Sequence, residues 1–267
     1  MVRFVIAVVF TIIFNAALAG DFEDGVAAIN RKDYATALAK FRSAAQQGST
    51  EAQYNLGQMY RNGDGVTQDY KMAVRWYQMA AQQGNAEAQS NLGVMYQQGL
   101  GVARDYKEAV RWFQLAAKQY LAEAQYNLGV MYDKGQGVAQ DYKEAVRWHQ
   151  LAAQQAYREA QYNLGHMYSN GRGVSQDYKE AVRWYLLAAK QGLADAQYNL
   201  GVMYYNGKGV LQDYTRAHMW FNIAAVSGDK DSVKNRDIAA SKMTAQQIEQ
   251  AQRVARECMT SNFTNCD

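Results

Sequence analysis

The chain of 267 residues carries 28 basic and 25 acidic side chains, and its formal net charge is only +3. So small a basic excess argues against nucleic acid or another polyanion as a partner. The chain has no proline and is rich in tyrosine, alanine and glutamine, a composition that favours helix throughout.

Residues 1–19 have the pattern of a secretory signal peptide. Arg3 supplies a positive charge, residues 4–14 are almost wholly apolar, and Ala17 and Ala19 are the small residues that a signal peptidase reads. We expect cleavage after Ala19 and a periplasmic or secreted protein. The alternative is a membrane anchor, but the apolar run is shorter than the roughly 20 residues that span a bilayer. No other segment is apolar enough, so we expect no stable membrane insertion after cleavage.

Residues 20–49 predict an N-terminal capping unit. Asp33-Tyr34 and residues 44–48 match the second helices of the repeats that follow, but Gly25 precedes Asp33 by eight residues where the later interval is twelve. The Gly-x-Gly-Val loop of the later repeats is missing here. Terminal units of repeat arrays differ in this way because they cover the apolar face of the first full repeat.

The middle of the chain consists of five blocks that align without a gap, each 36 residues long. They are residues 50–85, 86–121, 122–157, 158–193 and 194–229. Alanine, Leu-Gly, Met-Tyr, Gly-x-Gly-Val, Asp-Tyr and tryptophan recur at fixed places in every block. A fixed period of roughly 20–50 residues is typical of stacked supersecondary units, so the sequence predicts a repeat array.

The first half of each block predicts an amphipathic helix. Its apolar side mixes large and small residues, as close helix packing requires. In the first block this side carries Ala52, Leu56, Gly57, Met59 and Tyr60. The loop that follows contains Gly63 and Gly65, which suit turns with positive φ. A phosphate-binding interpretation of this loop is disfavoured because no strand precedes it.

The second half of each block predicts another helix, over Tyr70–Gln82 in the first block, with Gly84 ending it. Asp69 and its equivalents Asp105, Asp141, Asp177 and Asp213 stand where an N-cap belongs. The side chains expected to be buried are Ala73, Val74, Trp76, Ala80 and Ala81. The tryptophan of each block is interpreted as core rather than as a ligand platform; these residues are Trp76, Trp112, Trp148, Trp184 and Trp220.

One block read in full identifies the repeat. Residues 122–153 contain Ala-x-Ala-Gln-Tyr-Asn-Leu-Gly-Val-Met-Tyr, then Gly-x-Gly-Val, Asp-Tyr-Lys-Glu-Ala, Arg-Trp and Ala-Ala. This motif resembles the Sel-1-like repeat, a subfamily of the tetratricopeptide-repeat solenoids. The resemblance implies an all-α fold, a right-handed α-α superhelical solenoid of stacked helix-turn-helix repeats. It also implies protein or peptidoglycan-related ligands in a concave groove. Residues 20–49 resemble an ordinary tetratricopeptide repeat.

Residues 230–267 predict a C-terminal cap of two helices. One lies within residues 230–241 and the other runs from Ala245 to about Met259, where Thr244 and Gln247 have the spacing of a capping box. The second helix has an apolar stripe of Ile248, Ala251, Ala255 and Cys258. Cys258 and Cys266 can form a disulfide in an oxidising compartment; the alternative is two free thiols.

The candidate binding site is the side of the first helices opposite the apolar one. In a tetratricopeptide array this side lines the groove. Its proposed contact residues are Tyr54, Asn55, Asn91, Tyr126, Asn127, Tyr162, Asn163, His166, Tyr198 and Asn199. An asparagine ladder can bond an extended peptide backbone, and tyrosines supply rigid contact area. The alternative is that the repeats share these residues through duplication or for packing. A basic ridge on the second helices, around Lys107, Arg111, Lys143 and Arg147, is a weaker candidate surface.

The sequence contains few candidate catalytic residues. Three isolated histidines make no metal set, and Ser227-x-x-Lys230 lacks the companion motifs of serine β-lactamases. We therefore expect no cofactor, no metal and no enzymatic activity. The leading function is a periplasmic or secreted scaffold that binds a partner peptide or protein in the groove. The alternative is a peptidoglycan- or β-lactam-directed binding protein or weak hydrolase. The resemblance implies this alternative, because some disulfide-rich members of the family are associated with β-lactam binding or hydrolysis.

Overall fold

The computed structural model describes residues 20–264 and Cys266; the expected signal peptide lies outside the described residues. Between residues 20 and 264 every regular element is a helix. Residues 20–30 are helical and form α1. The other α-helices are α2 Tyr34–Gln46, α3 Thr50–Asn62, α4 Tyr70–Gln82, α5 Ala86–Gln98, α6 Tyr106–Lys118, α7 Ala122–Lys134, α8 Tyr142–Gln154, α9 Arg158–Asn170, α10 Tyr178–Ala189, α11 Ala194–Asn206, α12 Tyr214–Ala224, α13 Lys230–Ala240 and α14 Ala245–Thr260. A short 3₁₀ helix, Ala225–Ser227, follows α12. Across the described residues, no helix is both long and apolar enough to cross a membrane.

The helices group into two compact units. The first unit comprises the described residues up to Ala124, together with the short segment Gln136–Val138. The second unit comprises Gln125–Gly135 and the chain from Ala139 onward. Within each unit, helices that follow one another in the chain pack in pairs, and each pair of a repeat packs on the next. The expected all-α fold of stacked helix-turn-helix repeats is therefore confirmed.

Local capping fixes where the helices begin and end. The Asp69 carboxylate accepts hydrogen bonds from the backbone N–H groups of Lys71 and Met72, at 2.9 and 3.0 Å. The same carboxylate cap recurs at the four equivalent positions, as predicted, at Asp105, Asp141, Asp177 and Asp213. Gly63 ends α3 with a φ of 83°, in the left-handed region that glycine tolerates.

The core of each repeat is a glycine on the first helix packed against an aromatic ring on the second. A β-carbon on Gly57 would lie 2.5 Å from the ring of Tyr77, and one on Gly165 would lie 2.5 Å from the ring of Tyr185. The capping unit uses the same contact, between Gly25 and Phe41. The prediction that the preceding tryptophan is core holds at Trp112, Trp184 and Trp220, but Trp76 and Trp148 are only half-buried. The residue after the tryptophan lies deepest because it alone faces the space that the glycine leaves.

A ladder of buried glutamines, not predicted from the sequence, links successive repeats. Gln89 donates from Nε2 to the Ala81 carbonyl and accepts at Oε1 from Gln119. In the second unit Gln161 makes the same two bonds, to Ala153 and from Gln191. Gln89 and Gln161 are almost fully buried, so their amides are satisfied inside the protein, whereas Gln119 and Gln191 are exposed.

The C-terminal cap forms as predicted. The Thr244 hydroxyl and the Gln247 side chain make a reciprocal capping box at the start of α14. Ala251, Ala255 and Cys258 are buried against the last repeat. Cys258 and Cys266 form a disulfide with a Cα–Cα distance of 4.6 Å, so the expectation of a bridge is confirmed.

Candidate functional site

The predicted contact residues lie on the first helices and recur at the same place in each repeat. We call this surface of each unit the Tyr/Asn face. In the first unit it comprises Tyr54, Asn55, Gln58, Ser90, Asn91 and Val94, and in the second Tyr126, Asn127, Val130, Tyr162, Asn163, His166, Tyr198, Asn199 and Val202. The tyrosines and asparagines are half-buried, His166 is exposed, and Ser90 is buried. The tyrosine and asparagine side chains of the face therefore also take part in packing between helices.

Each tyrosine of the face leans on the aromatic residue of its own repeat. Tyr54 packs against Tyr77 with ring centroids 6.1 Å apart, and Tyr162 packs against Tyr185 at 5.9 Å, both tilted. Tilted aromatic pairs of this kind are favourable and fix the ring. Burial raises the pKa of the Tyr162 hydroxyl, which is therefore a neutral donor and acceptor at neutral pH.

In the second unit, asparagine side chains donate hydrogen bonds to tyrosine hydroxyls of the preceding repeat. Asn199 Nδ2 donates to the Tyr162 hydroxyl at 3.5 Å. Asn235, on α13, donates to the Tyr198 hydroxyl at 2.8 Å. Asn235 is not among the predicted contact residues, although its spacing of 37 residues from Tyr198 continues the spacing of Asn199 from Tyr162. The asparagines thus have a structural role, but an amide has two N–H groups and two lone pairs, so one bond does not saturate it.

The first unit satisfies its asparagines differently. Asn91 accepts from Arg61 Nη1 at 2.6 Å and donates to the backbone carbonyl of Glu87. Asn55 donates to the carbonyl of Glu51 on its own helix. Gln58 accepts from the Tyr77 hydroxyl at 2.8 Å, so polar side chains from both helices fill this part of the face.

Repeat three departs from the pattern at His149, which stands where the other repeats have tyrosine or phenylalanine. It is 1% exposed, and its Nε2 lies 3.4 Å from Asn163 Nδ2. Burial lowers the pKa of His149 to about 4, so the ring is neutral at pH 7. The ring is therefore part of the core of its repeat. Among the described residues, no group of three or more His, Cys, Asp or Glu side chains is arranged to hold a metal ion.

The basic ridge on the second helices is largely neutralised. Arg111 pairs with Glu108 at 2.9 Å, and Arg183 pairs with Glu180 at the same distance. Both guanidinium groups also lie over the ring of the next residue, Trp112 or Trp184. Exposed ion pairs one turn apart are typical of a solvated helix face, so the ridge is the weaker candidate.

Comparison with solved structures places this geometry among known proteins. A protective antigen of uropathogenic Escherichia coli strains, which displays an SLR fold, is 37% identical with a TM-score of 0.82; the match covers 92% of this chain and 54% of that one. The chain thus spans about half the length of that antigen. A Sel1 repeat protein from Oxalobacter formigenes is 33% identical with a TM-score of 0.76, over 81% of this chain and 86% of that one. A search of curated proteins found no match.

The family model of the Sel1 repeat matches this chain five times. The matched segments are residues 50–85, 86–121, 122–157, 158–193 and 194–229, the same five blocks that the internal period defines. They cover more than half of the chain, and each contains one helix pair with its glycine, aromatic and Asp cap. The chain therefore belongs to the Sel1 repeat family.

Proposed function

We propose that the protein is a periplasmic or secreted scaffold whose Tyr/Asn face binds an extended segment of a partner protein. The observation that carries this proposal is the recurrence of fixed, half-exposed tyrosine and asparagine side chains on successive first helices. Sel1 repeat proteins typically mediate protein–protein interaction and are generally not enzymes.

The chemistry of the face suits a peptide. A tyrosine ring that is already held by packing loses little conformational entropy when a partner contacts it. Asparagine amides offer both donors and acceptors, which an extended backbone needs at regular intervals. His166 is exposed in the middle of the second unit and adds a polar contact.

Export is supported by the C-terminal disulfide between Cys258 and Cys266. Disulfides persist in oxidising compartments and are rare where thiols are kept reduced. The apolar N-terminal sequence followed by Ala17 and Ala19 points the same way. Detection of a mature chain that begins at Gly20 in the periplasm or medium supports export, and a cytoplasmic chain that retains residues 1–19 contradicts it.

Affinity capture tests the binding face. The double variant Asn127→Glu, His166→Glu adds two negative charges to the Tyr/Asn face, and the matched control Lys143→Ala, Lys179→Ala makes the same change in charge on the exposed side of the second helices. Both variants are first checked for the wild-type melting temperature. We expect the face variant to capture at least tenfold less of each partner than wild type does, and the control to capture wild-type amounts. Retention of every partner by the face variant contradicts the proposal.

Cell-wall fragments provide the opposing test. Purified protein is titrated with muropeptides and incubated with a fluorescent penicillin. We expect neither saturable muropeptide binding nor a covalent penicillin adduct. Synthetic peptides with the sequence of a captured partner should instead compete with that partner for binding. Saturable muropeptide binding that the Asn127→Glu, His166→Glu variant abolishes would assign the face to cell-wall recognition instead.

A further inference from the structure

Side chains that differ between the repeats converge on one small cavity in the second unit. The cavity is lined by Asp133, His149, Asn163, His166, Met167 and Arg172. Asn163 and Met167 recur in every repeat, but the other four do not. His149 replaces an aromatic residue, His166 replaces Val or Gln, Asp133 is the one acid at its position, and Arg172 stands where the other repeats have Asp, Leu, Gln or Lys.

The substitution at His149 provides the space. In the first unit the equivalent place is filled, because the Tyr77 hydroxyl reaches Gln58 and Arg61 reaches Asn91. The imidazole of His149 is shorter than a tyrosine ring with its hydroxyl, and a cavity of about 50 Å³ lies beside it. A water molecule needs roughly 10–15 Å³, so the cavity has room for a small group of a few heavy atoms.

The charges of the cavity are paired and fixed. Arg172 Nη2 lies 3.3 Å from Asp133 Oδ1, and the guanidinium is held 4.5 Å above the Tyr142 ring. An ion pair of this kind presents an acceptor beside a donor. Burial keeps His149 neutral at pH 7, so the buried wall adds no net charge. A carboxylate in the cavity would be attracted by Arg172 but repelled by Asp133, and an ammonium group would be attracted by Asp133 but repelled by Arg172. The ion pair therefore favours neither charge over a neutral polar group.

A primary carboxamide matches this arrangement. Its carbonyl oxygen can accept from Arg172 while its NH₂ group donates to Asp133, and it contains three heavy atoms. Met167 offers apolar contact to the methylene groups that carry the amide. We propose that the cavity binds the asparagine or glutamine side chain of a partner peptide, as a specificity pocket within the Tyr/Asn face. This inference rests on the proposed peptide-binding function.

The three histidines of the chain allow a direct test. His149 and His166 line the cavity, whereas His218 is buried in α12 and serves as an internal control. The full chain with ¹⁵N-labelled histidine is titrated with acetyl-Ala-Ala-Gln-Ala-Ala N-methylamide and with its Glu and Met analogues; the N-methyl cap removes any terminal primary amide. We expect the Gln peptide to shift the imidazole signals of His149 and His166 but not of His218. The Glu and Met peptides should need at least tenfold higher concentrations to produce the same shifts.

Two variants separate recognition from folding, with affinity measured by anisotropy of the dye-labelled Gln peptide. His149→Tyr, His166→Val restores the residues that repeat four and repeat five carry at these positions, Tyr185 and Val202. It should melt no lower than wild type yet bind at least tenfold more weakly. Asp133→Asn removes the repulsion and should narrow the preference for Gln over Glu at least fivefold. Ser169→Asn, at the same position of the next repeat, should leave it unchanged.

The results that overturn the proposal are equal binding of the Gln and Glu peptides, no response at His149 and His166, or undiminished affinity in the double reversion. These outcomes are independent of the capture experiment. If partners are captured through the face but Gln and Glu peptides bind alike, only the cavity proposal fails. If the Gln peptide binds at the cavity but the face variant keeps every partner, the cavity still recognises a carboxamide but the proposed scaffold function fails.

Discussion

Two turns between repeats hold a residue with a side chain in left-handed backbone, where the other repeats have glycine. Tyr120 has a φ of 63° and Ala156 a φ of 61°, whereas Gly84 and Gly192 occupy the same place with φ of 94° and 77°. For residues with a β-carbon this conformation costs about 1–2 kcal/mol. Glycine avoids that strain but loses more chain entropy on folding, so the net difference is smaller.

Replacing these residues with glycine should stabilise the protein. We expect Tyr120→Gly and Ala156→Gly each to raise the free energy of unfolding by about 0.5–1 kcal/mol, measured by urea denaturation. Gly84→Ala is the matched control, because its new β-carbon would meet no atom within 4 Å and would feel only the backbone conformation. It should destabilise by about 1 kcal/mol. The same sign of change in all three variants would contradict this explanation.

The buried imidazole of His149 predicts a pH dependence of stability. Its pKa is about 4 in the folded protein and about 6.5 when exposed, so the unfolded chain binds more protons between these values. The stability is fully present above pH 6.5 and is lost as the pH falls towards 4. Asp133, His166 and Arg172 line the same cavity, but desolvation is the cause of the shift.

His149→Phe should remove this contribution. Between pH 7 and pH 4.5 we expect wild type to lose about 2–3 kcal/mol more unfolding free energy than the variant, measured by urea denaturation at both pH values. The pKa of His218 is also lowered by burial, but that residue is present in both proteins and cancels. Equal losses in the two proteins would show that His149 titrates alike when folded and unfolded.

At the level of helices, residues close together in the chain were enough to predict where helices begin and end. Contacts between residues far apart in the chain were not predicted. The bounds of α4 were predicted to the residue because Asp69 and Gly84 act on their own neighbours in the chain. The burial of Gln161 was not predicted, because its partner Gln191 lies 30 residues away and a glutamine in a helix ordinarily indicates solvent. The Tyr/Asn face was predicted from periodicity, but its bonds to neighbouring repeats required three dimensions.

The glutamine ladder should contribute measurably to the packing of one repeat on the next. Gln161→Met keeps the side-chain volume but leaves the Ala153 carbonyl and the Gln191 amide without their partner. We expect a loss of about 1–3 kcal/mol in urea denaturation. The double variant Gln161→Met, Gln191→Met should lose less unfolding free energy than the sum of the losses in the two single variants. Strict additivity would mean that the two glutamines do not interact.

The disulfide should stabilise the C-terminal cap. Cys258 and Cys266 close a loop with a sequence separation of 8, for which chain entropy predicts about 2–3 kcal/mol. Cys258→Ser, Cys266→Ser should therefore unfold at lower urea concentration than the oxidised wild type. Reduction of the wild type with dithiothreitol should reproduce most of the shift. A midpoint that neither change alters would show that α14 needs no covalent closure.

At the scale of the whole molecule, the repeated residues and the variable ones have different roles. The glycine, aromatic, Asp cap and buried glutamine of each repeat maintain the stack. The positions that change from repeat to repeat, among them His149, His166 and Arg172, lie on or beside the Tyr/Asn face. Within each unit, repeats built in this way present different side chains on a constant framework, which suits the proposed recognition of a partner segment.

Site-specific photo-crosslinking tests the central claim most directly. Benzoylphenylalanine is placed at Asn55 in the first unit and at His166 in the second, both on the Tyr/Asn face, and at the exposed Lys107 and Lys179 as controls on the second helices. Cells that produce each variant are irradiated, and the adducts are identified by mass spectrometry. We predict that Asn55 or His166 crosslinks to a partner protein and that the two lysine positions do not. Crosslinks to that partner from Lys107 or Lys179, with none from the Tyr/Asn face, would contradict the account.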